Sequence, residues 1–437
     1  MNTTNKEILN IAIPSIVSNI TVPLLGLVDV IIVGHLGSAS YIGAIAVGGM
    51  LFNMIYWLFG FLRMGTGGMT SQAYGRNNPE EYNNILLRSV SISLCIALTM
   101  MIVQFPIRET AFLFIDASPE VKSFATEYFH ICIWGAPAVL GLYSFTGWFI
   151  GMQNSRYPMF IAIAQNVINI AASLLLVTQF DMKIDGIAYG TLTAQYAGLG
   201  MAIFLASKYF KKNNSHSPFR LIFNKKSMSL FFKINRDIFL RTLCIVAVTV
   251  FFTSTGAAYG DTMLAVNTLL MQMFTIFSYI MDGFAYAGEA IVGKNIGSGD
   301  YKQLNITIRQ LIKWGAGVAI IFTAAYGMGG KDFLNLLTDD ITVINASGEY
   351  YYWVIAIPFA GFLAFILDGI CIGATATRIM LNSIFTATVC FFGIYYTTNG
   401  TFGNHSLWMA FIIYLLARGI VQSYLTRRII RSDYRAN

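Results

Sequence analysis

Long runs of apolar residues separated by short polar breaks organise this chain. Twelve of the runs offer about 20 residues or more as helices, enough to cross a bilayer. They are predicted near 8–34, 42–74, 85–106, 121–150, 158–179, 187–207, 231–258, 262–295, 307–328, 343–372, 379–397 and 406–426. None alternates with the period of two that a barrel strand needs, and lipid admits only helices and closed barrels as spanning structures. The pattern therefore predicts an all-α membrane protein with twelve transmembrane helices. The first run lacks a small-residue cleavage site after it and is expected to stay as a true span.

The composition agrees: 56% of the 437 residues are hydrophobic and 11% charged, under half the charge of an ordinary soluble domain. A net charge of +7 would suit nucleic acid only if it formed one basic face, and here it is scattered over short loops. Its distribution reports topology instead. Placing both termini and every second loop on one side collects 23 of the 28 Lys and Arg there, with Arg63 inside a span and Arg108, Lys122, Lys183 and Lys331 opposite. By the positive-inside rule the basic side is cytoplasmic, which implies a multi-pass protein of the inner (plasma) membrane in contact with its lipids. The five cysteines lie in apolar runs without metal or redox spacing and read as packing residues.

The central basic loop divides the chain into an N-terminal six-helix lobe (1–207), a linker (208–230) and a C-terminal six-helix lobe (231–437). The halves repeat at a shift of about 222 residues. "EYFHICIWGAPAVLGLYSFTGWFIGMQNSR", from Glu127, returns as "EYYYWVIAIPFAGFLAFILDGICIGATATR", from Glu349. Six spans per half is an even number, so both halves enter the membrane in the same orientation, as in transporters that work by alternating access.

Four acids interrupt the spans: Asp29, Asp282, Glu289 and Asp368. A carboxylate at bilayer depth costs a few kcal/mol or more, so each marks a cavity, a partner or an ion. Only Arg63 is identified as a basic partner at depth, which leaves at least three acids to be protonated, hydrogen-bonded, hydrated or bound to a cation. Asp282 and Glu289, seven residues apart, share one helical face and are expected to form one chamber. Pro14 and Pro23 can bend the first span near Asp29. Asn166, Asn169, Ser173 and Thr191 reach the membrane interior, either as oxygen ligands for a small cation and hydrogen-bond donors to substrate, or as interhelical glue. Phe52, Met54, Met271, Met273 and Phe274 would suit a lining for varied apolar cations.

Other chemistries find little support. "GEAIVGKN", from Gly288, misses the phosphate-loop pattern in its last residue and follows no strand. His35 and His130 have no neighbouring ligands and read as interfacial hydrogen-bonders. An enzyme would need a nucleophile and base, or metal ligands, on facing spans, and neither is found. No cofactor is expected, and transport would run on an ion gradient.

The stretches "VDVIIVGHLG" (28–37), "GFLRMGTGGMTSQAYG" (60–75), "MDGFAYAGEAIVGKNIG" (281–297) and "LDGICIGATATR" (367–378) resemble the multidrug and toxic compound extrusion transporters, in their DinF-like branch. The resemblance implies two six-helix lobes around a V-shaped cavity. It also implies efflux of small hydrophobic, often cationic compounds in exchange for protons or sodium, by a monomer. It places Asp29 at the family's coupling aspartate, Pro14 at the bend of the first helix, and Asn169 and Thr191 at the N-lobe cation site, where sodium would bind with Asp29. Where many relatives carry a second aspartate, this chain has Ser173, which favours a proton as the coupling ion. A flippase for lipid-linked saccharides is the alternative, and its usual set of cavity basic residues is not matched by Arg63 alone.

Overall fold

The computed structural model describes residues 3–34, 39–113, 118–213, 223–338 and 340–433. His35 lies outside them, as does 214–222 of the central loop. The described residues form fifteen α-helices and no strand. They are α1 (Thr3–Gly34), α2 (Ala39–Leu58), α3 (Phe61–Gly75), α4 (Pro79–Ile102), α5 (Gln104–Leu113), α6 (Pro119–Cys132), α7 (Ala136–Gly151), α8 (Arg156–Gln179) and α9 (Ile184–Asn213), followed by α10 (Lys225–Ala258), α11 (Asp261–Ser298), α12 (Tyr301–Leu337), α13 (Ile341–Gly373), α14 (Thr377–Phe402) and α15 (Asn404–Asp433).

Polar residues in the breaks start the helices. Asn78 accepts from the Glu81 amide at 3.0 Å and Ser118 from the Val121 amide at 3.3 Å, each followed by a proline in the first turn. Asp300 and Asp340 cap α12 and α13 at 2.9 and 2.8 Å. Each cap satisfies an amide that the first turn leaves without a helical partner. Ten helical segments among the described residues are long and apolar enough to cross a bilayer, with α2–α3 and α6–α7 each counting as one. The two others expected from sequence are α1, several of whose side chains lie outside the described set, and α9, whose apolar run is interrupted by Thr191, Thr193 and Gln195.

The chain forms two compact units, Pro14–Phe232 and Met1–Ile13 with Lys233–Asn437. The sequence assigned residues 1–13 to the N-terminal lobe, whereas their contacts lie with the C-terminal helices. Glu7 pairs with Lys294 at 3.1 Å, Thr4 accepts from Gln303 at 2.9 Å, and Asn5 accepts from Trp314 at 3.3 Å. The division falls at Ile13/Pro14, where proline removes a helical hydrogen bond.

In the Pro14–Phe232 unit, α7 packs on α3 and α4, α8 on α9, and α2 on α6. Its core includes Trp148, fully buried, with its indole N–H donating to the Tyr82 carbonyl at 2.8 Å. In the other unit α13 packs against α11, α12 and α15. The repeat is built into the packing. A Cβ added at Gly147 would fall 2.1 Å from the Arg63 carbonyl oxygen, and one at Gly369 would fall 2.0 Å from that of Ala285. Both members of each pair are related by the same 222-residue shift (147 + 222 = 369; 63 + 222 = 285). Glycine lets α7 approach α3, and α13 approach α11, at a backbone distance no side chain permits.

Gly369→Ala is therefore expected to cost about 1–3 kcal/mol, read as a lower melting temperature of the detergent-purified protein. Gly49→Ala, where an added Cβ meets nothing within 4 Å, should melt like the wild type. Equal melting of the two variants would show that α11 and α13 do not meet so closely.

Candidate functional site

The polar residues of the Pro14–Phe232 unit gather where α1, α6, α8 and α9 meet. Asp29 is 5% exposed and its Oδ1 has no hydrogen-bond partner. One turn apart on α8, Asn169 and Ser173 are fully buried. Asn169 donates through Nδ2 to the Thr191 hydroxyl at 2.9 Å, leaving Asn169 Oδ1 and Ser173 Oγ without partners. Ser173 reaches the neighbourhood of Thr191 because residue 190 is glycine, where a Cβ would fall 2.2 Å from Ser173 Oγ. Asn166 ties α8 to α1 by donating to the Thr21 carbonyl at 2.8 Å, two turns before Asp29.

Tyr128 on α6 completes this neighbourhood, and it was not among the residues the sequence singled out. It is buried, within hydrogen-bonding reach of Thr191 and Cys132, and within electrostatic range of Asp29. Cys132, read from sequence as packing, also feels Asp29 and points its thiol at the Ala188 carbonyl at 4.0 Å. The repeat held a signal for Tyr128, since the shift aligns it with Tyr350, whose ring meets that of His405 at 4.5 Å and a 35° tilt. What links these groups is electrostatic range from Asp29 to Tyr128 and Cys132, and hydrogen-bonding reach from Tyr128 to Thr191 and from Thr191 to Asn169. A buried carboxylate oxygen without a partner can be relieved by a proton or by a small cation.

Other sequence expectations separate from this cluster. Pro14 is buried at the unit boundary, and Arg63 is 9% exposed on α3. His130 is held between Arg108 at 2.8 Å and Gln104 at 3.4 Å. Phe52 stacks on Tyr56 and Phe129, and Met273 is fully enclosed, so both are core, while Met54 is exposed. Asp282, Glu289 and Asp368 all belong to the C-terminal unit. Asp282 is half-buried and within electrostatic range of Arg418, whereas Glu289 is fully buried two turns further along α11.

Asp368 corrects the expectation that Arg63 is the only basic partner at depth. Its Oδ2 accepts from both Arg241 on α10 and Arg418 on α15, and its Oδ1 accepts from Gln422 at 3.1 Å. Both arginines are at least nine-tenths buried. The sequence tally counted them with the cytoplasmic basic residues because each helix carries further Lys or Arg near its basic end, yet both lie mid-helix. Asp368 is thus held by two buried guanidinium groups and a glutamine rather than left open to a cavity.

Removing one partner from a buried ion cluster strands the others, typically at a cost of 3–5 kcal/mol. Asp368→Asn should destabilise the protein by about that much, with part recovered by adding Arg418→Gln, measured by thermal unfolding in detergent. If Asp368→Asn melted normally and lost only ion coupling, Asp368 would be a coupling acid instead.

The family model MatE matches residues 14–175 and 238–397, one segment in each half. DNA damage-inducible protein F of Escherichia coli (strain K12) is 33% identical over 432 residues, covering 98% of this chain and 93% of that protein. Protein DETOXIFICATION 44, chloroplastic, of Arabidopsis thaliana is 23% identical, covering 94% and 80%. Among solved structures, a MATE protein in its bent conformation superposes with a TM-score of 0.85 at 19% identity, covering 100% of this chain and 97% of that one. A multidrug resistance MATE transporter in an outward-facing conformation gives 0.81 at 19% identity, covering 99% and 97%. At that identity the superpositions speak for the fold, a MATE-like arrangement of helices in a multi-pass membrane protein. The family match to both halves and the relative at 33% identity carry the rest: the chain belongs to the MatE family of multidrug and toxic compound extrusion transporters.

Proposed function

We propose that this protein is a secondary active antiporter that exports small hydrophobic, mainly cationic compounds in exchange for protons, with Asp29 as the coupling group. The observation that carries the reading is the contrast between two buried acids: Asp368 is held by two guanidinium groups, while Asp29 has an oxygen with no hydrogen-bond partner. A lone buried carboxylate is costly to keep ionised, so a proton is the smallest ligand that relieves it. Protonated, Asp29 would gain a hydrogen-bond donor in a unit whose Asn169 Oδ1 and Ser173 Oγ both lack one. A ligand shifts a conformational equilibrium only through its different affinity for the two states. A proton taken up by Asp29 while it is open to the outside and released while it is open to the inside, with a cationic substrate carried on the return, would couple the two movements.

The pairing of Arg241 and Arg418 with Asp368 leaves them engaged, which weighs against their receiving the pyrophosphate of a lipid-linked sugar. With Ser173 in place of a second carboxylate, the site has one acid and otherwise neutral oxygens, which favours a proton over sodium. The basic loops support a topology with both termini and the central loop on the cytoplasmic side of the inner membrane.

In proteoliposomes, an inward proton gradient without sodium should drive export of a cationic dye, and Asp29→Asn should reduce it to the level of empty liposomes while the protein stays folded. Gradient-driven transport retained by that variant would remove Asp29 from the mechanism. Ser173→Asp is expected to restore a second carboxylate and make transport respond to sodium, seen as a sodium-dependent rate at constant pH. An unchanged ion dependence in a folded Ser173→Asp protein would separate position 173 from ion choice.

A further inference from the structure

Away from Asp29, a cavity of about 260 Å³ opens in the Pro14–Phe232 unit between the start of α2, the first turns of α6 and the turn joining α8 to α9. The rings of Tyr41 and Phe124 meet at 4.8 Å and 55°, forming an aromatic corner. Three carboxylates line the same space, Glu127, Asp181 and Asp185, against one ammonium, Lys183. Lys183 Nζ sits over the Tyr41 ring, 5.9 Å from its centroid. This face of the ring therefore already takes a cation from within the cavity.

The turn that carries these groups is built to hold its shape. Asp181 adopts a left-handed backbone at φ +53°, a conformation that costs free energy in a residue with a Cβ. The Met182 amide returns to the Leu176 carbonyl at 3.2 Å, and the Asp185 side chain accepts from the Lys183 amide at 2.8 Å. Met182 and Ile184 add apolar lining beside the charges.

An aromatic face, apolar walls and excess carboxylate together select one ligand chemistry. An organic ammonium with an apolar body can place its charge over the ring and near the acids while its body displaces water from the walls. A small hydrated metal ion gains nothing from the rings, and an anion is repelled. We infer that this cavity is a binding site for hydrophobic organic cations, with Lys183 as a built-in competitor that a ligand displaces from Tyr41. Lys122 and Lys183 belong to the side opposite the basic loops, so the site faces outward. That placement rests on the proposed topology, while the ligand class is read from the lining. The cavity itself does not depend on the topology.

Photoaffinity labelling of the full-length protein in detergent with azido-ethidium, followed by peptide mapping, tests the site directly. Label is expected on peptides containing Tyr41, Phe124 or Met182. Glu127→Gln should lower that labelling by about 2- to 5-fold, and Lys183→Met should raise it by a similar factor, the scale of one exposed cation–π contact. Tyr41→Leu serves as a second variant should Glu127→Gln misfold, and is expected to lower labelling likewise. No label in these segments, or labelling indifferent to all three variants, would overturn the site. Parallel ethidium export assays separate the two readings: export without cavity labelling sinks this inference alone, and cavity labelling without export sinks the antiport reading alone.

Discussion

The cost of an ionised carboxylate in a medium without water governs this protein. A chain that carries an acid into the membrane must give it a permanent partner or a temporary one. Asp368 has the first: two arginines from separate helices and a glutamine close around it, joining α10, α13 and α15 of the C-terminal unit. Asp29 has an oxygen without a hydrogen-bond partner, and the groups shown within electrostatic range of it are a tyrosine hydroxyl and a thiol. One acid ties helices together, and the other is left in a condition that binding a cation improves.

The two units share a backbone plan that makes this division possible. Glycines at 147 and 369 allow the same close crossing in both halves, so the repeated helices pack without bulky contacts there. The polar content then differs on top of a common frame. The first unit carries the series Asp29, Tyr128, Thr191 and Asn169, while in the second, Tyr350, the repeat partner of Tyr128, packs its ring at a tilt against His405, itself 3.2 Å from Glu349. Duplicated scaffolding thus carries unequal polar chemistry in its two halves.

The first helix joins the two. Its opening residues are pinned to α11 and α12 through Glu7, Thr4 and Asn5, and its later residues to α8 through Thr21. Pro14 stands at the change of allegiance, where the helix has lost a hydrogen bond and bends most cheaply. The same helix carries Asp29, so any rearrangement at the acid acts on an element that both units hold.

By itself the sequence determined the all-α membrane class, the doubled architecture and the membership of Asp29, Asn169, Ser173 and Thr191 in one candidate set. These follow from properties that are local or periodic: apolar run length, the 222-residue repeat, residues one turn apart on a helix, and a resemblance carried by motifs. Only the tertiary structure decided that Asp368 meets two arginines, that Tyr128 belongs beside Thr191, and that the start of the first helix packs with helices of the second half. Each of these is a contact between residues distant in sequence, 127 positions apart for Arg241 and Asp368, and no local pattern encodes which arginine meets which acid. The charge count misled for the same reason: it treats an arginine in a long helix as belonging to the nearest loop, whereas burial depends on which side of the helix faces a neighbour.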